Sequence, residues 1–246
     1  MKNETFRMLH QMRLSAMADA YEHQLEHPET YASMDFGDRF SLLVQREYDV
    51  RCSNHLKRLL KNANFLYPDA SMDNIEYLPD RHLNKELLHF LRTNSYIEKH
   101  QNVILIGATG SGKTYIANAL GVNACHDDFK VLYIRLPDLF YAYQEAVFKN
   151  KRDEFMRKCQ KTTMLIIDEF LLYKATEEQQ QTLLEIMERR VGQTTTVVCS
   201  QYDTAGWIEQ LGGSVIADAI LDRLTSSSYT IKIDGEASMR KRHATC

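Results

Sequence analysis

The chain has 246 residues, enough for one large domain or two modest ones, and either can bury a working core. Hydrophobic residues make up 44% of the sequence and charged residues 26%, fractions typical of a globular protein. The net charge of -3 excludes an overall basic character, so any contact with nucleic acid has to come from local patches.

The five cysteines are odd in number, widely spaced and without a C-x-x-C pair, so we expect neither a disulfide framework nor a zinc site. The longest apolar runs are four or five residues, and no signal peptide is recognisable at the start of the sequence. These features predict a cytoplasmic protein with no membrane contact.

Helical patterns fill the first part of the chain. Apolar residues at helical spacing predict one helix near residues 9–25, another at 38–62 and a third at 83–91. Glycine is rare in this part, whereas in later segments short aliphatic runs alternate with helical patterns. We therefore expect an all-helical N-terminal domain over residues 1–80, followed by a second domain over residues 81–246.

From Val103 onward, short aliphatic runs alternate with helical patterns. Aliphatic runs between helices are typical of parallel strands that are covered on both faces. The predicted strands are Val103–Ile106, Val131–Ile134, Met164–Ile167 and Thr195–Cys199, and the helices between them are 113–125, 137–148 and 177–190. The pattern predicts a doubly wound α/β core with its ligand at the C-terminal ends of the strands.

Residues 107–114 read G-A-T-G-S-G-K-T, the phosphate-binding G-x-x-x-x-G-K-[ST] motif between a predicted strand and a predicted helix. Its glycines let the backbone wrap closely around a phosphate chain. Lys113 would reach the β- and γ-phosphates, and the Thr114 hydroxyl would be a ligand of Mg²⁺. We assign nucleotide binding to Gly107, Gly110, Ser111, Gly112, Lys113, Thr114 and Tyr115.

Two acids follow the buried strand M-L-I-I. Asp168, at the strand tip, is expected to hold Mg²⁺. Glu169 can accept a proton from an attacking water, which favours hydrolysis over phosphoryl transfer to another acceptor. A solvated acidic strand end is the alternative interpretation of this pair.

Two further residues are candidates for catalysis. Ser200, at the tip of the next buried strand, would orient the lytic water or sense the γ-phosphate, although a local Ser-Gln turn also fits. Arg223 lies in the last turn of a predicted helix at 216–224. It would reach the nucleotide of a neighbouring subunit, but spacing alone favours the more common role of a partner for the helix dipole.

Two basic clusters are candidates for contact with DNA. Residues 51–61 carry four cations and no acid, and residues 149–161 carry six cations and two acids. Such clusters can grip phosphates without reading bases, although a solvated helix face is the more common role. We assign candidate contacts with duplex DNA, without sequence specificity, to Arg51, Lys57, Arg58, Lys61, Lys151 and Arg152.

Five motifs occur in order along the chain: G-A-T-G-S-G-K-T at 107–114, L-I-I-D-E-F at 165–170, S-Q at 200–201, A-D-A-I-L-D-R-L at 217–224 and S-M-R-K-R at 238–242. This set resembles the motifs of AAA+ ATPases, and more narrowly those of IstB-type transposition helpers, which are close to DnaC-type helicase loaders. The N-terminal region, from Leu9 to Arg51, is similar to that family as well.

The chain departs from the family pattern at two points. Family members commonly follow the acidic pair with Phe-Gly, whereas Phe170 is followed here by Leu171-Leu172-Tyr173. Ala237 also stands inside the usual G-E-S-M-R-K run.

The resemblance implies an AAA+ P-loop core with a central parallel sheet, preceded by the helical domain, and ATP and Mg²⁺ as cofactors. It implies that Lys113 and Glu169 act in catalysis, with Ser200 as first sensor and Arg223 as a finger acting across subunits. Arg240 would be a second sensor of the nucleotide.

The function implied by the resemblance is that of an ATP-dependent helper that forms a homo-oligomer on duplex DNA. It would present that DNA to a transposase encoded by the same element, and hydrolysis would reset the assembly. Two alternatives stay open: a DnaC-like replicative helicase loader, and a nucleotide-gated DNA scaffold with negligible hydrolysis. A small-molecule kinase is least favoured, because no acceptor pocket or lid motif is recognisable.

Overall fold

The structure is a computed structural model that describes residues 2–234, Ser238 and Met239. Its helices are α1 (Lys2–Gln11), α2 (Ser15–Glu26), α3 (Phe36–Ala63), α4 (Lys85–Arg92), α5 (Ser95–Glu98), α6 (Lys113–His126), α7 (Leu136–Phe148), α8 (Arg152–Lys161), α9 (Glu177–Arg190), α10 (Thr204–Gln210) and α11 (Val215–Thr225). Its strands are β1 (Asn102–Gly107), β2 (Val131–Arg135), β3 (Met164–Asp168), β4 (Thr195–Ser200) and β5 (Ser228–Ile233).

The first of two compact units ends at Arg58. The single helix predicted near residues 9–25 is divided into α1 and α2, because Arg13, between them, adopts a left-handed backbone with φ of +59°. The Leu14 N–H donates to Leu9 O (2.9 Å) and closes the turn between α1 and α2. The Met17 N–H, at the start of α2, donates to Glu47 on α3 (3.0 Å), which fixes the hairpin on the longer helix.

The second compact unit begins at Leu59, well before the boundary predicted between residues 80 and 81. The segment from 59 to 80 packs against α6 within this unit. The Tyr67 N–H donates to Asn118 Oδ1 (3.1 Å), and a Cβ at Gly121 would meet the Phe65 ring at 2.5 Å. Helical composition alone does not reveal this packing, which explains why the contacts divide the chain earlier than the composition does.

Five parallel strands form the sheet of the second unit, in the order β2-β3-β4-β1-β5. The four predicted strands are present, and β5 is an additional edge strand. β1, β3 and β4 lie in the middle of the sheet, and their aliphatic side chains are buried except for Ile106, which is partly buried. Since all strands run in one direction, Gly107, Asp168 and Ser200 meet at a single edge of the sheet, the carboxyl edge.

The opposite edge of the sheet, where the strands begin, is held by a buried arginine. Arg190, the last residue of α9, is 1% exposed. Its guanidinium donates to Thr162 O (2.8 Å), Thr195 O (2.5 Å) and Thr196 Oγ1 (3.0 Å), and also to Cys159 O. Burial lowers the pKa of Arg190 to about 10, so the group stays charged at neutral pH.

The architecture confirms the α/β class with a central parallel sheet that the strand and helix patterns predict. The described N-terminal region is helical, as expected. Among residues 2–234, no helix combines the length and the apolar character that a bilayer span needs.

Candidate nucleotide-binding site

The phosphate-binding loop joins β1 to α6. Two of its glycines have left-handed backbones, with φ of +81° at Gly110 and +95° at Gly112. A Cβ at Gly112 would lie 2.7 Å from Arg81 Nη2, and one at Gly110 would collide with the Ser238 side chain. Only glycine fits these two positions without strain, and the loop keeps the tight curvature that a phosphate cradle requires.

A positive charge lies inside the loop. The Lys113 ammonium donates to Gly107 O (2.7 Å) and Ala108 O (2.8 Å), and the residue is 8% exposed. The Ser111 hydroxyl is buried beside it and, within the described part of the chain, has no hydrogen-bond partner. A buried cation and an unused hydroxyl in a loop of small residues fit a polyphosphate chain.

A cavity of about 640 Å³ opens beside the loop. Its volume lies in the range of small-molecule sites, and its walls combine loop residues with side chains from before β1. The Tyr115 hydroxyl accepts the Ser71 N–H (3.3 Å), and the Tyr115 ring lies 6.0 Å from that of Tyr67. The other lining residues include Ile75, Arg81 and Met239.

The two residues predicted to hold Mg²⁺ are in direct contact. The Thr114 hydroxyl donates to Asp168 Oδ2 (2.8 Å), and the Tyr133 hydroxyl donates to the same oxygen (2.9 Å). The other carboxylate oxygen accepts the Glu169 N–H (2.8 Å). Burial, and then the neighbouring carboxylate, raise the pKa of Tyr133, so its phenol remains a donor. One carboxylate and one hydroxyl beside a phosphate cradle suit Mg²⁺, which takes few protein ligands.

The predicted general base occupies an unusual backbone conformation. Glu169 has φ of +53°, and Leu171, two residues on, has φ of +52°. Between them the Phe170 N–H donates to Cys199 O (2.8 Å), which keeps the turn against β4. The Glu169 side chain is 38% exposed, and its Oε2 lies 3.7 Å from Arg135 Nη1. The carboxylate is therefore accessible to water at the same edge as Asp168.

Ser200 is 1% exposed, and its hydroxyl is fully used within the protein. It donates to Phe170 O (2.8 Å) and accepts from Trp207 Nε1 (2.8 Å) and the Tyr202 N–H (3.1 Å). A hydroxyl has one donor and two lone pairs, so none remains for a phosphate. The predicted sensor role therefore requires one of these bonds to break.

Arg223 lies at the edge of the sheet opposite the loop. Asn102, the first residue of β1, donates to the carbonyl oxygen of Arg223 (3.1 Å), whereas Gly107 ends the same strand. Asn102 and Gly107 are five residues apart along β1, so the Arg223 backbone beside Asn102 lies about 16 Å from the end of the strand that leads into the loop. The guanidinium donates to Glu188 Oε1 and Ala219 O, both at 2.8 Å. Arg223 is therefore not brought together with the other predicted site residues of its own chain.

The sequence profile of the family described as IstB-like ATP binding protein matches residues 7–245. The chain belongs to this family.

A relative in Sinorhizobium fredii (strain NBRC 101917 / NGR234) is 33% identical to this IstB-like chain over 242 residues. The alignment covers 98% of this chain and 97% of the relative, which is named as an insertion sequence ATP-binding protein. The match along nearly both whole chains confirms the family resemblance that the motifs indicate.

Two solved structures are similar in fold. The DnaC helicase loader has a TM-score of 0.58 at 16% identity, with 68% of this chain and 98% of that chain covered. AMPPCP-bound DnaA from Aquifex aeolicus has a TM-score of 0.58 at 19% identity, with 74% of this chain covered. This chain spans about half of the DnaA chain, 55%. These likenesses show the AAA+ fold.

The residues predicted to contact DNA differ in the contacts that their side chains already make within the protein. Arg51 donates to Glu47 Oε1 (2.7 Å) and Arg13 O (2.7 Å), and thus holds the helical hairpin. Arg58 contacts His55 Nδ1 (2.8 Å). Lys57 and Lys61 are exposed.

The two candidates beside α8 also differ. Arg152 donates to Glu185 Oε2 (2.5 Å) and Tyr143 Oη (3.1 Å), which ties α8 to its neighbours. Lys151 is exposed and lies 3.6 Å from Glu154 Oε2. Of these two, Lys151 is the more available for a phosphate.

Sequence reasoning missed two residues of the site. Arg81 is buried and donates to Ser111 O (2.9 Å) and Glu76 O (2.5 Å), so it braces the loop from outside the motif. Tyr133 reaches Asp168 from β2. Neither stands in a recognisable motif, and only the position of Tyr133 in a strand beside β3 offered a signal. Arg240, the predicted second sensor, lies outside the described residues.

Proposed function

We propose that this IstB-like protein hydrolyses ATP at a site shared between subunits. In this proposal it assembles on duplex DNA and presents that DNA to the transposase of its insertion sequence. The position of Arg223 carries the proposal. An arginine one strand length from the loop of its own chain has no use in that site, whereas an adjoining subunit can receive it. A guanidinium is suited to stabilise the charge that develops as a phosphate leaves.

Within one chain, the loop supplies the groups that bind and orient ATP. Lys113 and the loop N–H groups neutralise the phosphates, and Thr114 and Asp168 would hold Mg²⁺. The metal ion, when bound, supplies charge neutralisation on the phosphate oxygens. Glu169 accepts the proton of the attacking water, since its carboxylate is accessible to water and follows Asp168, the residue expected to hold the metal ion. Tyr133 and the Glu169 N–H keep the Asp168 carboxylate oriented.

Exposed lysines support the proposed contact with DNA. Lys57, Lys61 and Lys151 are exposed on helices or next to them. Such side chains contact phosphates and do not read bases, so we expect binding without sequence specificity and with a steep dependence on salt.

The names of relatives support the proposed partner. The Sinorhizobium fredii relative is named as an insertion sequence ATP-binding protein, and one in Pseudomonas fluorescens is named as belonging to the insertion sequence IS1162. A helper carried by such an element would act on the transposase of that element. Hydrolysis would end each assembly and release the subunits for another round.

The proposal is tested by sedimentation and electron microscopy of the purified protein with duplex DNA, with and without a non-hydrolysable ATP analogue. We expect assembly on DNA only when the analogue is present, and loss of that assembly in Arg223→Ala. The control is Arg189→Ala, which removes an arginine of similar exposure that pairs with Glu185 on α9 (2.7 Å). Undiminished assembly of Arg223→Ala would contradict the shared site.

A further inference from the structure

Asn102 connects three elements at the amino edge of the sheet. It is 8% exposed, and its side-chain amide donates to Arg223 O and Leu224 O, both at 3.1 Å. Its side-chain oxygen accepts the Thr196 N–H at the start of β4 (2.9 Å). Its own backbone N–H donates to Ser227 O (2.8 Å), just before β5. One side chain thus joins β1, β4 and the end of α11.

The carbonyl oxygens at the end of α11 need such a partner. The last four carbonyl groups of an α-helix lack intrahelical N–H donors, and here the end of the helix is packed against the sheet. A side-chain amide provides two N–H donors and one acceptor, which match the two carbonyls and the Thr196 N–H. Aspartate would keep the acceptor and lose both donors. Asparagine is therefore chemically suited to this position in a way that its charged isostere is not.

The same contacts fix the backbone that carries Arg223. β1 begins at Asn102 and ends at the phosphate-binding loop, and its neighbours β4 and β5 pair with it on both sides. Since the strand is rigid, the bond from Asn102 to Arg223 O sets the place of the arginine relative to the loop. The Arg223 guanidinium is held in addition by Glu188 and Ala219 O.

We propose that Asn102 is a positioning residue for the arginine finger: it clamps the last turn of α11 so that Arg223 faces the nucleotide of the next subunit. The inference rests on the proposed shared site. Asn102 lies about one strand length from the loop of its own chain, so its replacement should impair hydrolysis in the neighbour and leave its own nucleotide binding intact. A residue that only maintains the fold would impair both.

The test uses Asn102→Asp in the full-length protein. We expect affinity for a fluorescent ATP analogue within about twofold of wild type and a hydrolysis rate lowered about tenfold or more. Asn102→Ser, whose hydroxyl can donate to one carbonyl, should show an intermediate rate. The matched control is Asn94→Asp, a buried asparagine whose side-chain amide donates to Asp127 Oδ2 (2.8 Å) and Asn123 O (3.4 Å) and makes no hydrogen bond to α11 among the described residues. It should keep its hydrolysis rate at a temperature at which it is folded.

Assemblies that mix two variants distinguish a role of Asn102 in positioning Arg223 from general damage to the fold. Lys113→Ala lacks a working loop but keeps a correctly placed Arg223. In a mixture with Asn102→Asp, this arginine should restore hydrolysis in the nucleotide pocket of an adjoining Asn102→Asp subunit. Mixing Asn102→Asp with Arg223→Ala should restore nothing. Weak nucleotide binding by Asn102→Asp, a wild-type rate for it, or no recovery with Lys113→Ala would overturn the inference.

The parallel mixture of Lys113→Ala with Arg223→Ala distinguishes the shared site from the positioning role of Asn102. Recovery in this mixture, without recovery in the Asn102→Asp mixture, leaves the shared site intact and removes Asn102 as its positioning residue. Failure of both mixtures overturns the shared site and, with it, the inference.

Discussion

The two edges of the sheet differ in how their polar groups are used. At the amino edge, Arg190 and Asn102 are buried, and each bonds to several backbone groups. At the carboxyl edge, Ser111 Oγ has no hydrogen-bond partner in the described structure and Glu169 is accessible to water. Arg190 and Asn102 hold the strands in place through these bonds, whereas Ser111 and Glu169 keep hydrogen-bonding capacity for a ligand or a water molecule. Substitutions at the amino edge should therefore leave nucleotide binding by the same subunit intact, whereas substitutions at the carboxyl edge should act on that subunit's own pocket.

The largest effect is expected from Glu169→Gln at the carboxyl edge. Removing the base should lower the rate of ATP hydrolysis by about 10²–10⁴-fold, because a positioned proton acceptor contributes this much. Nucleotide binding and thermal stability should stay at wild-type values, since the side chain is partly exposed. A phosphate-release assay with DNA present measures the rate. Equal rates for both proteins would instead support a nucleotide-gated scaffold and exclude Glu169 as the base.

Arg190→Met should lower the free energy of unfolding by about 3–5 kcal/mol, because buried carbonyl groups would lose their donors. Chemical denaturation measures this change. Arg189→Met, on the same helix end but partly exposed, should cost less than about 1 kcal/mol. The folded fraction of Arg190→Met should bind the ATP analogue with wild-type affinity. A loss of affinity in that fraction would show that the two edges are not separable.

Ser200→Ala tests a polar group of the carboxyl edge whose hydrogen bonds are already saturated within the protein. Its loss would leave Trp207 Nε1 and the Tyr202 N–H without an acceptor, so we expect about 2 kcal/mol of destabilisation. The hydrolysis rate at low temperature should remain near that of wild type. Replacement of the neighbouring exposed Gln201 by alanine is the control for stability. A rate loss of about 100-fold with unchanged stability would restore the sensor role predicted from the motif.

Arg135→Gln should have the smallest effect. Arg135 Nη1 lies 3.7 Å from Glu169 Oε2; the Arg135 side chain is exposed and also pairs with Asp138, and the Glu169 side chain is partly exposed. Exposed ion pairs contribute little, so the hydrolysis rate should change by no more than about threefold, and less in high salt. A change of about tenfold or more would indicate that Arg135 controls the base.

Much of the carboxyl edge could be predicted, because it depends on local sequence. The phosphate-binding motif fixes a strand, a loop and a helix within one short segment, and the aliphatic runs ending at Ile106 and Ile167 mark buried parallel strands. These predictions needed no knowledge of distant residues.

Other features could not be predicted, because they arise from contacts between distant segments or from turns without a marker residue. The turn at Arg13 contains neither glycine nor proline, and the helical spacing of apolar residues continues across it. The edge strand β5 is partly exposed, and its sequence S-Y-T-I-K-I mixes polar with apolar residues, so it lacks the aliphatic run that marks the others. Arg81, Tyr133 and Asn102 gain their roles only from the residues that the fold brings to them.

The most direct test of the shared site is the hydrolysis rate of an equal mixture of Lys113→Ala and Arg223→Ala subunits on duplex DNA. Each variant alone should be inactive. In the mixture, the intact loop of an Arg223→Ala subunit can meet the intact finger of a Lys113→Ala subunit, so the rate should recover to at least about a quarter of the wild-type rate, the share expected if all joints formed at random. A mixture as inactive as its components, or full activity of Arg223→Ala alone, would contradict the account.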